Sequence, residues 1–141
     1  MKKIFSLLLL YVCMATATHA QKINVPAAVT KSFNEKFPGA TDVKWEKENS
    51  KELEANFKWN NSKMSANFGL DGSWKETETT INASELPAPV TKAINSKYPG
   101  AVLSTCEKIE KPGGKQQYEV NLKYKGKKKE VEMNPDGSMA E

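Results

Sequence analysis

The stretch VPAAVTKSFNEKFPGA, residues Val25–Ala40, decides the fold, because LPAPVTKAINSKYPGA at Leu86–Ala101 is a close copy of it, offset by 61 positions. Large apolar positions that differ between the copies are filled by another apolar or aromatic residue, as Phe33 is matched by Ile94 and Phe37 by Tyr98. A repeated stretch of this length predicts a chain built from two copies of one unit. The recurring residues of the first copy include Pro26, Val29, Thr30, Lys31, Asn34, Lys36, Pro38, Gly39 and Ala40.

Each copy has the pattern of an amphipathic helix that ends at a Pro-Gly pair. Apolar residues four positions apart line one helical face. The pairs at Pro38 and Pro99 end the helices, because a residue before proline is pushed out of the α region. Helices of about 11 or 12 residues are marginal alone and need a sheet to cover their apolar stripe. The two stripes are Val25, Val29, Phe33 and Phe37, then Leu86, Val90, Ile94 and Tyr98.

The remainder of each unit alternates apolar and polar residues, which is typical of strands with one solvated face. Asn60-Asn61 and Asp71-Gly72 supply turn residues between strands. Trp74–Ile81 is rich in threonine and polar enough to be an edge strand or a solvent-facing ribbon. The predicted apolar positions are Val43, Trp45, Leu53, Ala55, Phe57, Trp59, Met64, Ala66 and Phe68, then Tyr118, Val120, Leu122, Tyr124, Val131 and Met133.

Together these patterns predict an α+β fold of two tandem helix-plus-antiparallel-meander units, with the helices packed on one face of an antiparallel sheet. Residues 1–20 have the pattern of a signal peptide, because a basic start precedes a short apolar stretch and a small-residue exit. The first repeat then covers residues 21–81, and the second covers residues 82–141 with a truncated last strand. We expect a periplasmic or secreted protein with no stable membrane insertion after cleavage; the oligomeric state is left open.

The composition argues against several classes of function. The sequence contains no arginine, and removal of residues 1–20 lowers the net charge from +4 to about +2. A nucleic-acid-binding protein would usually carry arginines and a stronger basic charge. The one histidine, His19, lies in the predicted signal peptide, so no histidine is left for Ser-His-Asp chemistry or a His/Cys metal site. We therefore expect no enzyme, no metal and no cofactor.

Cys106 is the one cysteine outside the predicted signal peptide. A lone cysteine forms no internal disulfide, and its alignment with Trp45 predicts a buried small hydrophobic residue. A reactive thiol is the alternative.

The polar phase of the strands supplies the candidate binding face. Glu54 aligns with Glu119 and Lys58 aligns with Lys123, so both units present the same charges. Such a face is either a solvated surface with ion pairs of small individual value or a docking surface.

Two further features are candidate contact sites. Trp74 follows a turn, its phase in the strand is unclear, and it is the best candidate for an exposed aromatic anchor. Lys125–Lys129 is a basic run that predicts an exposed hairpin tip, where lysines discourage edge pairing. Contact with an anionic surface is the alternative for this hairpin.

The doubled unit of helix, Pro-Gly breaker and strands resembles the PepSY-like proteins described as similar to β-lactamase inhibitor protein. The resemblance covers Val25–Glu141 and is carried by VPAAVTKSFNEKFPGATDVKW, by LPAPVTKAINSKYPGA and by the Asp-Gly-Ser turns at Asp71 and Asp136. It implies a sheet with helices on one face and an open opposite face, which the better-known inhibitor uses to hold an enzyme. None of that inhibitor's contact residues has a matching motif here.

The resulting hypothesis is a non-enzymatic exported binding module that holds an envelope or secreted protein through the open sheet face. The alternative is a module that binds glycans or other envelope polymers through Trp74 and the lysine hairpin.

Overall fold

The computed structural model describes residues 23–140, so the predicted signal peptide lies outside the described residues. The fold is α+β, with two helices and a seven-stranded antiparallel sheet whose strands follow chain order. Within residues 23–140 no helix is long and apolar enough to cross a membrane. The elements are α1 (Ala27–Lys36), β1 (Thr41–Lys47), β2 (Glu52–Trp59), β3 (Ser62–Gly69), β4 (Trp74–Ile81), α2 (Ala88–Lys97), β5 (Val102–Lys111), β6 (Lys115–Tyr124) and β7 (Lys127–Met133).

Each helix is ten residues long and lies between a proline and a Pro-Gly pair. Pro26 and Pro87 occupy the N-cap positions, where their fixed φ suits the entry into the helix. At the other end, the N–H groups of Phe37 and Tyr98 each donate to a helical carbonyl at 2.8 Å. The glycine that follows takes a positive φ, +78° at Gly39, which turns the chain toward the next strand.

Two hydrophobic clusters form the core, one built around each helix. In the first cluster Val29 and Phe33 of α1 pack on Ala55, Phe57, Ala66 and Phe68 of the sheet. The Phe33 and Phe57 rings meet edge to face with centroids 4.9 Å apart, a favourable aromatic geometry. The second cluster is mainly aliphatic and comprises Leu86, Val90, Ile94, Cys106, Tyr118, Val120, Leu122, Val131 and Met133. The predicted burial of Cys106 is thus confirmed, since it is only 4% exposed.

Two expectations about the strands are wrong. Val43 is exposed rather than in the core, because the pairing of β1 with β2 shifts between Thr41 and Lys44 and breaks the alternation there. The polar β4 is neither an edge strand nor a ribbon, since it pairs with β3 on one side and β5 on the other. It is the middle strand of seven, and its pairing with β5 joins the two halves of the sheet, residues 23–81 and 82–140.

Two Asp-Gly-Ser turns lie against the first turns of the helices. In the turn at Asp71, the Ser73 hydroxyl and N–H donate to the carboxylate at 2.6 and 2.9 Å. Gly72 has a φ of +87°, and a Cβ there would lie 2.8 Å from the carbonyl oxygen of Ala28. A Cβ at Gly137 would likewise lie 2.5 Å from the carbonyl oxygen of Pro89 in α2. Each turn therefore requires glycine both for its conformation and for its approach to the helix.

Candidate functional site

Residues that alternate with the core positions along the strands form what we call the open face. Antiparallel pairing aligns them in rows across the sheet. One row, here called the central row, runs through Lys44, Asn56, Ser65, Glu78, Ile109 and Gln117. A second row runs from Thr80 through three consecutive glutamates, Glu107, Glu119 and Glu132, which we call the glutamate row.

The four charged residues predicted for this face all lie on it, but in two separate patches. Glu54 and Lys58 are on β2, whereas Glu119 and Lys123 are on β6. Four strand spacings of about 4.8 Å place these strands roughly 19 Å apart. The structure therefore does not bring the predicted residues together into one compact site.

Equivalent residues of the two patches also have different neighbours. Lys58 forms an exposed ion pair with Asp42 at 2.8 Å, a contact that raises the pKa of the lysine. Lys123 instead lies opposite another lysine, Lys128. Glu119 lies in the glutamate row and accepts a 2.7 Å hydrogen bond from the Asn121 amide.

Trp74 does not provide the exposed aromatic anchor expected from the sequence. It is half-buried and packs against the cluster around α1. The Lys36 ammonium lies 3.5 Å from the centroid of the indole ring, and the indole N–H donates to the Thr77 hydroxyl at 2.9 Å. Its ring face and its donor are therefore already used within the protein.

The basic run forms the predicted hairpin tip. Lys125 and Gly126 make the turn between β6 and β7, both with positive φ, and all residues from Lys125 to Lys129 are exposed. The tip is solvated, and its lysines lie at the edge of the sheet, where β7 is the last strand.

Glu78 was missed as a site residue, although it lies at the centre of the open face. Its carboxylate accepts a 2.9 Å hydrogen bond from the Ser65 hydroxyl. Burial raises the pKa of Glu78 to about 7, and the negative charges of Glu107, Glu119 and Glu76 act in the same direction against the Ser65 hydrogen bond. Burial also raises the pKa of Glu119, with the charge of Glu130 as the next cause. The centre of this face therefore holds carboxylates that resist ionisation.

Ile109 and Gln117 were also missed, and both are almost completely buried although they lie on the open face. Two residues from Ile109, Lys111 on β5 links two other strands, since its ammonium is 3.0 Å from Glu132 on β7 and 3.5 Å from Glu76 on β4. The ion pair with Glu132 therefore reaches across β6, the strand that carries Gln117. The Gln117 amide donates to Asn134 at 3.3 Å.

The open face presents its polar and charged groups in rows rather than at a single point. Within residues 23–140, no three His, Cys, Asp or Glu side chains are placed to hold one metal ion. The face offers a broad array of carboxylates, amides and ammonium groups on a seven-stranded sheet. The alternation of Glu76 and Glu78 with threonines was the sequence signal for β4, but its central position required the pairing with β5.

Comparison with known proteins identifies the same architecture elsewhere. A Bacteroides eggerthii protein described as "putative periplasmic" superposes with a TM-score of 0.76 at 18% identity, covering 84% of this chain and 88% of its own. A DUF2874 family protein from Bacteroides ovatus gives 0.73 at 22% identity, with 84% and 86% covered. A BLIP-like protein from Bacteroides fragilis gives 0.71 at 23% identity, with 85% and 86% covered. At these identities the likeness shows the fold alone.

The sequence itself also matches a family. No curated protein matches the chain. However, the family model described as "Putative beta-lactamase-inhibitor-like, PepSY-like" matches residues 51–140, which is more than half of the chain. On this evidence the chain belongs to the PepSY-like, β-lactamase-inhibitor-like family.

Proposed function

We propose that this chain is a non-catalytic binding module of the cell envelope that holds an envelope or secreted protein through its open face. In this proposal residues 1–20 are a signal peptide, and residues 21–81 and 82–141 are repeats of one unit. Their helices lie on one face of the sheet, the mature protein is periplasmic or secreted, and the opposite face meets the partner. Membership of an inhibitor-like family supports binding over catalysis.

The observation that carries the proposal is the extent of the open face. Seven strands at about 4.8 Å spacing span roughly 29 Å, and strands of about eight residues are roughly 26 Å long. The resulting surface of roughly 750 Å² is close to the area of about 800 Å² that each partner contributes to a standard protein–protein interface. Charged and amide side chains occupy it in rows, which suits recognition by electrostatic complementarity.

The test is a charge exchange on the open face that keeps the net charge constant. The variant Glu54→Lys, Lys58→Glu, Glu119→Lys, Lys123→Glu is compared with the wild type in affinity capture from envelope extract. Lys31→Glu, Glu35→Lys is the matched control, because this exposed pair on α1 is also exchanged without a change in net charge. Thermal melts first establish that both variants keep the fold.

We expect the wild type and the helix control to capture the same protein. The open-face variant should associate with it more slowly, in a salt-dependent way. An unchanged association rate at low salt in the folded variant would rule out this face. Recovery of polysaccharide alone would favour the glycan-binding alternative, although the half-buried position of Trp74 removes the aromatic anchor on which that alternative depended.

A further inference from the structure

The glutamate row places three like charges directly opposite one another on adjacent strands. Cross-strand side chains of this kind are about 5 Å apart, and like charges in such pairs are destabilising. Lys111 compensates Glu132 at one end of the row, with 3.0 Å between the charged atoms. Among residues 23–140, Glu107, Glu119 and the neighbouring Glu78 have no ion-pair partner. The fold therefore retains a repulsive arrangement that it does not neutralise itself.

A second, independent feature lies on the open face. Within the described part of the chain, two buried side-chain polar atoms lack a hydrogen-bond partner, the Asn67 Oδ1 and the Gln117 Oε1, and both are acceptors. Asn67 is on β3, away from the glutamate row, whereas Gln117 is on β6 beside it. Gln117 is completely buried and lies two residues from Glu119 on the same face of β6. Leaving a buried acceptor unpaired costs about 1–3 kcal/mol. Both features thus call for hydrogen-bond donors, and the carboxylates call for a positive charge.

We propose that the glutamate row, together with Glu78 and Gln117, is the seat for a basic side chain, arginine or lysine, that projects from the protein partner. This inference rests on the proposed function and specifies the chemistry of the partner. An ammonium supplies three donors and a guanidinium five, and their hydrogen bonds to carboxylates are among the stronger ones in proteins. The unpaired Gln117 oxygen is a further acceptor beside these carboxylates.

Lys111 shows that this surface can hold such a group. Its ammonium already lies between two carboxylates of the open face, Glu132 and Glu76. A partner's cation would take the corresponding position at the other end of the row, between Glu107 and Glu119. A metal ion is the less suitable occupant, because the described residues offer no compact group of three ligands. Neighbouring carboxylates one strand apart match the reach of a forked guanidinium.

The probe is an acetylated and amidated tetra-arginine peptide, with tetra-lysine alongside it and tetra-glutamate as the negative control. Binding to the ¹⁵N-labelled full chain is followed at low ionic strength by amide chemical-shift changes. We expect changes concentrated on β5, β6 and β7. The variant Glu107→Gln, Glu119→Gln should weaken tetra-arginine binding at least tenfold.

The matched control is Glu46→Gln, Glu48→Gln, which removes two exposed glutamates at the β1 end of the sheet with the same change in net charge. It should weaken binding less than twofold. Equal losses in the two double variants, or shift changes spread over all acidic residues, would overturn the proposal. The mapping on the wild type decides the matter even if a variant folds poorly, since absence of changes on β5–β7 also overturns it.

The result also separates this inference from the proposed function. A captured partner could bind the open-face charge-exchange variant poorly but bind Glu107→Gln, Glu119→Gln normally. That result would rule out the basic seat and retain the proposed binding function. If tetra-arginine binds at the glutamate row but no protein is captured, the row's affinity for basic side chains is supported and the proposed protein-binding function is contradicted.

Discussion

Replacement of Glu78 by glutamine tests directly whether the centre of the open face is electrostatically strained. The pKa of this carboxyl is raised by burial from 4.5 to about 7. The folded protein therefore holds the Glu78 proton more tightly than the unfolded chain does. The stabilisation that protonation of Glu78 gives the folded state is fully present below about pH 4.5 and is lost as the pH rises through about 7. At pH 8 the ionised carboxylate should destabilise the fold.

The magnitude follows from the size of the shift. A pKa change of this size corresponds to an upper bound of about 3 kcal/mol. Because the carboxyl remains partly accessible to water, solvent screening reduces the expected effect to about 1–2 kcal/mol. Glutamine has the shape of the protonated acid and keeps an oxygen that can accept the Ser65 hydrogen bond. Glu78→Gln should therefore stabilise the fold by about 1–2 kcal/mol at pH 8 and by much less at pH 5.

The assay is urea denaturation of both proteins at pH 5 and pH 8 in low salt. Glu46→Gln is the control, because Glu46 is an exposed glutamate on the same face, and it should change stability by only a few tenths of a kcal/mol. A Glu78→Gln variant that is less stable than the wild type at pH 8 would refute the reasoning. The same would follow from an equal difference at the two pH values.

Three further outcomes test the core and the turns. Phe33→Ala and Ile94→Ala should each cost about 2–5 kcal/mol in denaturant melts, and losses below half a kcal/mol for both would remove the proposed core. Cys106 should resist thiol reagents in the native state and react after unfolding, because it is buried and burial raises its pKa; rapid native labelling would contradict this. Gly72→Ala should cost clearly more than Gly39→Ala, since both require positive φ but only Gly72 would bring a Cβ against the backbone, 2.8 Å from a carbonyl oxygen. Equal melting temperatures for the two glycine variants would count against that contact.

The helices and the core could be predicted from the sequence because their signals are local. Val29 and Phe33 are four residues apart in α1, as are Val90 and Ile94 in α2, and all four are buried. Burial of such an apolar stripe is required for so short a helix to be stable. The position of β4 could not be predicted in the same way. Its composition is polar, and its central place depends on hydrogen bonds to β5, which follows some twenty residues later in the chain.

The sequence predicted which face of the sheet the candidate residues share, but not which residues they contact. Strand alternation correctly assigned Glu54 and Glu119 to a common face, because side-chain direction has a period of two. It could not show that Glu78 lies near Glu107, since that contact depends on the register between β4 and β5. Nor could it show that Ile109 and Gln117 are buried, because they pair with each other on the face that otherwise carries the polar residues.

The distribution of charge distinguishes the two parts of the sheet. Glu54 and Glu119 are aligned residues of the two halves, yet Glu54 lies between Glu46 and Asn67 while Glu119 lies between two other glutamates. The different surroundings of the two glutamates therefore come from the residues that pair with them. Glu78 belongs to the first half and acts on carboxylates of the second across the β4–β5 pairing. The acidic centre therefore exists only when both halves form one sheet, which is a physical reason for a binding surface of this kind to require the whole chain.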